Sequence, residues 1–375
     1  MTPRTDIQDL LDHLAERTRA IERSGVLPAE IVADLAHADL LASHIPTEFG
    51  GQSLDMTAYG EIHAQLGRLS SSLRSLLTVH DMVAEAVHRL GSDEQKLDWL
   101  PKLASGDEIG AFALTEPGAG SDAAAIETRA EPTTNGFRLT GHKRWITFGQ
   151  MATVFLVMAK IEGDGPVVGF LVPATTTGLT RSPVEGMLGL RAAMLADVDL
   201  DGCIVPAESR VGPERMPGDL VVGTALHHGR YSVAWGCLGI GEACHDASLE
   251  YSQRRVQFGE PLAEHQLIRR MLTNMITDTR AARLLCESAG ELWDQRDREA
   301  IQATLIAKYF ASGMASRVAN DAIQVHGARG ASSEYPIEQH FRDARVMEII
   351  EGSNEIQQLL IANYGLRAPK PPADT

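Results

Sequence analysis

Phe112-Ala113-Leu114-Thr115-Glu116-Pro117-Gly118-Ala119-Gly120-Ser121-Asp122 is where this chain changes character. A short apolar lead runs into a turn punctuated by Pro117, Gly118 and Gly120. Glycine has no Cβ, so such a turn lets backbone N–H groups approach an anion closely, and Thr115 and Ser121 add hydroxyl donors. On its own the stretch is an ordinary Gly/Pro turn. Its weight comes from what lies on either side.

Upstream, the chain reads as helical. Ile7, Leu10, Leu11 and Leu14 form one stripe, and Ile31, Leu35, Leu40 and Leu41 continue at helical spacing. Phe49-Gly50-Gly51 breaks that pattern, and Leu90-Gly91-Ser92 reads as a stop followed by a fresh cap. Downstream, period two takes over: Phe137, Leu139 and Gly141 alternate, as do Val154, Leu156 and Met158. A short apolar run, Val167 to Val172, is bounded by Gly165-Pro166 and Pro173. Pro213 to Asp219 reads as a linker. Long helices then return, with seams through Leu267/Ile268, Met271/Leu272, Met275/Ile276, Ala282, Leu285 and Ala289, and through Leu305/Ile306, Phe310, Met314, Val318, Ala322 and Val325. The reading is an α+β multidomain chain: an N-terminal α-helical domain over 1–110, a middle β-domain over 111–217 and a C-terminal four-helix-bundle domain over 218–375. The proline-bearing tail from Arg367 reads as loose.

Bulk properties narrow the function. At about 150 residues per domain, 375 residues suggest two or three domains. A net charge of −16 repels phosphate backbones and anionic lipid, which argues against nucleic acid and membrane as partners. Cys203, Cys237, Cys244 and Cys286 lie far apart, with no C-x-x-C and no histidine at metal spacing, as expected of a reducing compartment. No apolar signal core opens the sequence and no apolar run has membrane-spanning length, so the expectation is a cytoplasmic protein.

A second stretch carries chemistry. In Met347-Glu348-Ile349-Ile350-Glu351-Gly352-Ser353-Asn354-Glu355-Ile356, the carboxylate of Glu351 follows two isoleucines and precedes a glycine turn. Burying it there is unfavourable or raises its pKa. A desolvated carboxylate turned toward a ligand suits abstraction of a weakly acidic C–H proton. The competing reading is a solvated acid at a helix end.

Taken together, the motifs resemble the acyl-CoA dehydrogenase superfamily. Leu114 to Asp122, followed by Trp145-Ile146-Thr147, looks like that family's flavin site. Arg255-Val256-Gln257-Phe258-Gly259 with Gln266 resembles its R-x-x-F-G…Q element, and Gln324-Val325-His326-Gly327-Ala328-Arg329-Gly330 its Q-x-x-G-x-x-G element. Ser333 to Pro336, Arg342-Asp343-Ala344 and Glu351-Gly352-Ser353 complete a collinear set across roughly residues 20 to 365. The resemblance implies FAD between a β-barrel-like middle domain and the bundle. Phe112, Thr115, Gly120, Ser121, Trp145 and Thr147 would meet the flavin and its phosphates. Arg255, Phe258 and Gln266 would come from a partner subunit, and Gln324 and Gly327 would hold the far end of the cofactor. Ser353 and Glu355 would close the site. Glu351 falls on the family's catalytic base, removing the α-proton of an acyl thioester as hydride passes from the β-carbon to flavin N5. Also implied are a homodimer or homotetramer and an electron acceptor such as an electron-transfer flavoprotein.

The substrate side departs from the family pattern. Some branches carry the base just before an arginine matching Arg230; here that position is Gly229, which cannot serve. An Asp common ahead of that arginine is replaced within Leu226-His227-His228-Gly229-Arg230. Neighbouring helical residues diverge by about 100°, so no metal is assigned to His227 and His228. His227, with Ser121, Arg230, Ile350 and Gly352, is placed at the substrate; Ile350 stands where an aromatic is frequent, and Glu355 where Gln is. Gly239-Ile240-Gly241-Glu242-Ala243-Cys244 mimics a nicotinamide fingerprint, yet no strand precedes it, and helix packing is the better reading. Ser70 to Ser75, Gly229 to Cys237 and Met347 to Ser353 look most like a branch of acyl-carrier-protein dehydrogenases that help make hydroxymalonyl, methoxymalonyl or aminomalonyl extender units for polyketides. That implies a short hydroxy- or aminoacyl group on a carrier protein or CoA, with a C–C or a C–O bond oxidised. The alternatives are the same fold acting as an oxygen-using oxidase or monooxygenase, or as a binding homologue without chemistry.

Overall fold

The computed structural model describes residues 7–162, 165–213 and 219–367. Most of the expected linker and the tail beyond Arg367 lie outside these residues. Five helices come first: α1 (Ile7–Ser24), α2 (Ala29–His37), α3 (Met56–Leu69), α4 (Ser71–Leu90) and α5 (Asp93–Ser105). A single serine joins α3 to α4. Ser70 ends one helix and caps the next, its Oγ accepting from the N–H groups of Ser72 and Leu73 at 3.1 and 3.2 Å. Helix α4 is buried on nearly every side from Ser71 to Val87, so it runs through the molecule rather than along its surface.

The strands follow: β1 (Gly110–Ala113), β2 (Arg129–Thr133), β3 (Gly136–Ile146), β4 (Val154–Ile161), β5 (Val167–Pro173), β6 (Leu179–Pro183), β7 (Ala196–Pro206) and β8 (Arg210–Val211). They form one sheet in the order β6-β7-β3-β2-β4-β5-β8, with β1 alongside β4 in parallel. The alternation expected for β4 is instead continuous burial. Val154, Leu156 and Met158 pack on the helices with Val83 and Val87 of α4, while Phe155, Val157 and Ala159 fill the sheet's other face. A strand covered on both sides has no polar face to show. Where β3 meets β7 the register slips between Lys143 and Ile146, and Trp145 within that slip has φ 56°.

The chain then returns to helices: α6 (Asp219–Arg254), a small hairpin of β9 (Val256–Gln257) and β10 (Glu260–Pro261), α7 (Gln266–Asp294), α8 (Ala300–His326), α9 (Ile337–Met347) and α10 (Asn354–Arg367). The buried seam of α7 runs Leu272, Met275, Thr279, Ala282, Cys286 and Ala289, leaving Leu267 and Ile276 of the expected seam exposed. His80 ties the helices to the sheet: its Nδ1 accepts from the Gly110 N–H at 3.1 Å and its Nε2 donates to Leu103 O at 3.0 Å. All of Cys203, Cys237, Cys244 and Cys286 are buried and unbridged. Among the described residues, no helix is long and apolar enough to cross a membrane.

Candidate active site

A cavity of about 320 Å³ opens where the sheet meets α4 and α6. Its sheet wall is built by the turn after β1 and the end of β3. Phe112, Thr115, Gly120, Ser121, Trp145 and Thr147 all line it. The turn is anchored from beneath. Glu116 is buried and accepts from Lys143 Nζ at 2.6 Å and from the Thr128 N–H at 3.0 Å, while the Arg144 N–H donates to Thr115 O at 2.8 Å. Burial draws the Lys143 ammonium down to about 8 against the opposing pull of Glu116. Trp145 is 47% exposed, an unusual state for so large a ring, with the Arg144 guanidinium 5.0 Å from its centroid. A Cβ at Gly118 or Gly120 would meet nothing. This wall offers an open glycine turn, a standing indole and hydroxyls, a set suited to a flat heteroaromatic with an anionic extension.

The opposite wall is helical. Glu351 (φ 54°) and Gly352 (φ 90°) are consecutive left-handed residues, a sharp turn that delivers the carboxylate to the cavity. Arg230 Nε donates to Glu351 O at 2.9 Å, and Gln357 Nε2 donates to Glu351 O and Gly352 O at 3.2 and 3.0 Å. Burial raises the Glu351 pKa, with Arg230, Arg74 and Lys308 pulling the other way. Gly229 supplies clearance: a Cβ there would lie 2.9 Å from Glu351 Oε2 and 2.8 Å from Met82 Sδ. The space that a side chain at position 229 would fill is thus the space the Glu351 carboxylate occupies.

Arg74 shares this wall, although the sequence alone does not single it out. It is fully buried, and a Cβ at Gly236 would come within 2.3 Å of its Cδ, so that glycine makes its berth. Its guanidinium donates to Thr78 Oγ1 at 2.7 Å and Ser75 Oγ at 2.9 Å, all neutral company, while Nε has no partner. Ser70–Ser75 and Gly229–Cys237 stand out in the sequence only as stretches. The readable signal is an arginine within the otherwise small and apolar run Ser71–Val79 that opens α4.

Of the other residues named from the sequence, Arg230, Ile350, Gly352 and Ser353 line the cavity as well. His227 does not. Its Nδ1 sits 3.3 Å from Arg230 Nη1, and its side chain lines a neighbouring space of about 730 Å³ with Glu85 and Trp293. Glu355 is exposed in the first turn of α10, and Ile356 takes the cavity-facing position, one residue on the helix separating the two. Arg255 lines a separate cavity of about 420 Å³, with Tyr251, Arg329 and Tyr335. Phe258 is 98% exposed beside it in sequence. Gln266 opens α7, Gln324 lies in the last turn of α8, and Gly327 follows it with φ 61°. Within one chain, none of these five reaches the Glu351 cavity. The adjacent histidines diverge as helical geometry requires. His228 Nε2 meets Tyr59 Oη at 2.7 Å, and Tyr59 in turn donates to Asp81 at 2.9 Å. His44, Glu85 and His228 hold possible ligand atoms within 4.8 Å of one another, though Glu85 is already engaged by Arg89 at 2.8 Å.

Models of three acyl-CoA dehydrogenase domains match this chain in order: N-terminal over residues 5–107, middle over 111–203 and C-terminal over 218–366. The chain belongs to the acyl-CoA dehydrogenase family. The human mitochondrial short-chain specific acyl-CoA dehydrogenase (Homo sapiens) is 36% identical over 353 residues, covering 93% of this chain and 85% of that protein. A solved structure described as FkbI, for biosynthesis of the methoxymalonyl extender unit of the polyketide Fk520, superposes with a TM-score of 0.90 at 36% identity, covering 96% of this chain and 99% of its own. A glutaryl-CoA dehydrogenase from Mycobacterium smegmatis in complex with FADH2 gives a TM-score of 0.89 at 28% identity, with coverage of 98% and 95%. This acyl-CoA dehydrogenase-type protein is an oxidoreductase, and FAD is its cofactor. The sheet wall fits that cofactor in kind.

Proposed function

We propose that the chain dehydrogenates a short, oxygenated acyl thioester, with Glu351 taking the α-proton. The observation that carries this reading is the shared wall of Glu351 and Arg74. One is a carboxylate turned into the cavity. The other is a buried cation set among hydroxyls and the Met347 sulfur, with no anion in contact among the described residues. An alkyl chain ending against Arg74 would leave that cation desolvated without return, whereas an oxygen at the end of a three-carbon acyl group would complete it. The likeness to a methoxymalonyl extender-unit protein points the same way.

Bound FAD supplies the two-electron acceptor. Thr115, Ser121, Trp145 and Thr147 would hold it against the sheet wall, with Phe112, Gly120 and Ser353 beside it, and Arg255, Phe258, Gln266, Gln324 and Gly327 would serve a second subunit's copy. A 98% exposed Phe258 makes sense in a chain that pairs with another. Arg230 and Gln357 orient the base through its own carbonyl. Ile350 and Leu226 keep water from the carboxylate, which strengthens it as a base. The thioester arm is proposed to come from an acyl carrier protein or CoA, the electrons to leave to an electron-transfer flavoprotein, and the setting to be cytoplasmic.

Anaerobic mixing of the FAD-loaded protein with C3 hydroxyacyl, C3 aminoacyl and butyryl thioesters, each on CoA and on carrier protein, tests this reading. Flavin absorbance should bleach fastest with the oxygenated C3 group, since the Arg74 guanidinium offers only donors and disfavours an ammonium. Preference for butyryl over that group would contradict the reading.

A further inference from the structure

The turn that aims Glu351 hangs by its carbonyls, and one of the groups holding it is a lysine on a buried helix face. Thr304, Lys308 and Ser312 fall on the core side of α8, and Lys308 is wholly shielded from solvent. A buried ammonium needs partners. It has Gly352 O at 2.8 Å and Asn354 Oδ1 at 3.2 Å, and Ser312 Oγ steadies the same Asn354 Oδ1 at 2.9 Å. Both partners are neutral oxygens, so the positive charge is not cancelled where it sits. It lies directly behind the turn that bears the carboxylate.

We infer that Lys308 is a positioning residue for the base: its ammonium clamps the Gly352 carbonyl and places a positive charge behind Glu351, fixing the aim of that carboxylate and the pH at which it ionises. The inference rests on Glu351 acting as base. The groups facing Lys308 are Arg230 and Cys237 from α6, Glu348 and Glu351 from the turn after α9, and Glu355 from the first turn of α10. Burial brings the ammonium down to about 8; Cys237, Glu351 and Glu348 oppose that fall and Arg230 adds to it. The clamp is therefore charged at neutral pH and discharges as the medium becomes alkaline. For Glu351, burial raises the pKa and Lys308 is among the cations restraining it. Loss of the lysine charge moves ionisation of the base to higher pH.

The test is the pH profile of flavin bleaching at saturating thioester, from pH 5.5 to 9.5, for FAD-loaded wild type, Lys308→Met and Lys308→Arg. Lys308→Met should shift the acid limb upward by on the order of one pH unit and lose the alkaline limb. Its maximal rate should fall about 10-fold, since small misplacements of a reacting group are costly. Lys308→Arg should keep the wild-type acid limb and carry the alkaline limb beyond the range, because a guanidinium does not discharge there. A Lys308→Met enzyme with the wild-type acid limb and rate would overturn the inference. Should Lys308→Met fail to load FAD, an unmoved alkaline limb in Lys308→Arg overturns it equally. Full activity of Glu351→Gln in the same assay would instead remove the base assignment, whatever the lysine variants do.

Discussion

The two walls of the cavity are built on different principles. The sheet wall presents neutral donors and a ring on a turn whose anchors, Glu116 and Lys143, lie beneath it and never touch the cavity. The helical wall presents charges, Glu351, Arg230 and Arg74, directly to the space. A wall of the first kind can hold a bound prosthetic group through many interchangeable contacts. A wall of the second kind stakes its function on a few side chains. Substitutions on the helical side should therefore abolish turnover while leaving the protein yellow, and substitutions beneath the sheet side should cost bound FAD, with turnover falling only in proportion to the flavin lost.

The largest effect belongs to the proposed base. Glu351→Gln should retain FAD yet lose turnover by on the order of 10³-fold or more, as removal of a positioned base does; steady-state assays with matched flavin content check this. Next comes Arg74→Met, which should lower kcat/KM for an oxygenated acyl thioester by roughly 10²-fold more than for butyryl thioester, any loss common to both coming from its pull on Glu351. Equal loss on both would make Arg74 a structural residue and erase the contrast between the walls. Gly229→Ala should cost about 10-fold in kcat at unchanged flavin content, because the new Cβ displaces the Glu351 carboxylate by a few tenths of an ångström. The smallest effect sharpens the junction between helices and sheet. His80 is held neutral, burial pushing it from 6.5 to about 4. Its folded-state pKa is depressed, so its contribution is intact above the unfolded value near 6.5 and is lost as the pH falls through about 4. Stability measured by denaturant titration should drop over that window by an amount on the order of 3 kcal/mol from this group, and His80→Asn should flatten that drop.

The same contrast explains what could be read from the sequence. The sheet wall was legible because its turn needs particular residue types in a fixed local order, Thr115 to Ser121 and then Trp145 to Thr147, and each does its work within a few residues of its neighbours. Glu351 was legible for the same reason, lying next to Gly352. Arg74, Gly236 and Lys308 were not legible. Their roles exist only across helices: Gly236 on α6 makes room for Arg74 on α4, and Lys308 on α8 reaches a turn 44 residues further along the chain. The stretches holding Arg74 and Gly236 stood out, but nothing in them says that one side chain fills the gap left by the other. His227 and Glu355 went the other way. Each sits one residue from a cavity-facing position, and on a helix one residue turns a side chain to a different surface. Strand β4 shows the limit of alternation as a signal, since both its faces are covered.

Proton exchange at the substrate is the most direct measure of the central claim. An acyl thioester whose β-carbon has no transferable hydrogen, incubated in D₂O with FAD-loaded protein, isolates the step assigned to Glu351 from every later one. Wild type should incorporate deuterium at the α-carbon, and Glu351→Gln with equal flavin content should not. Exchange at the wild-type rate in that variant would contradict the account.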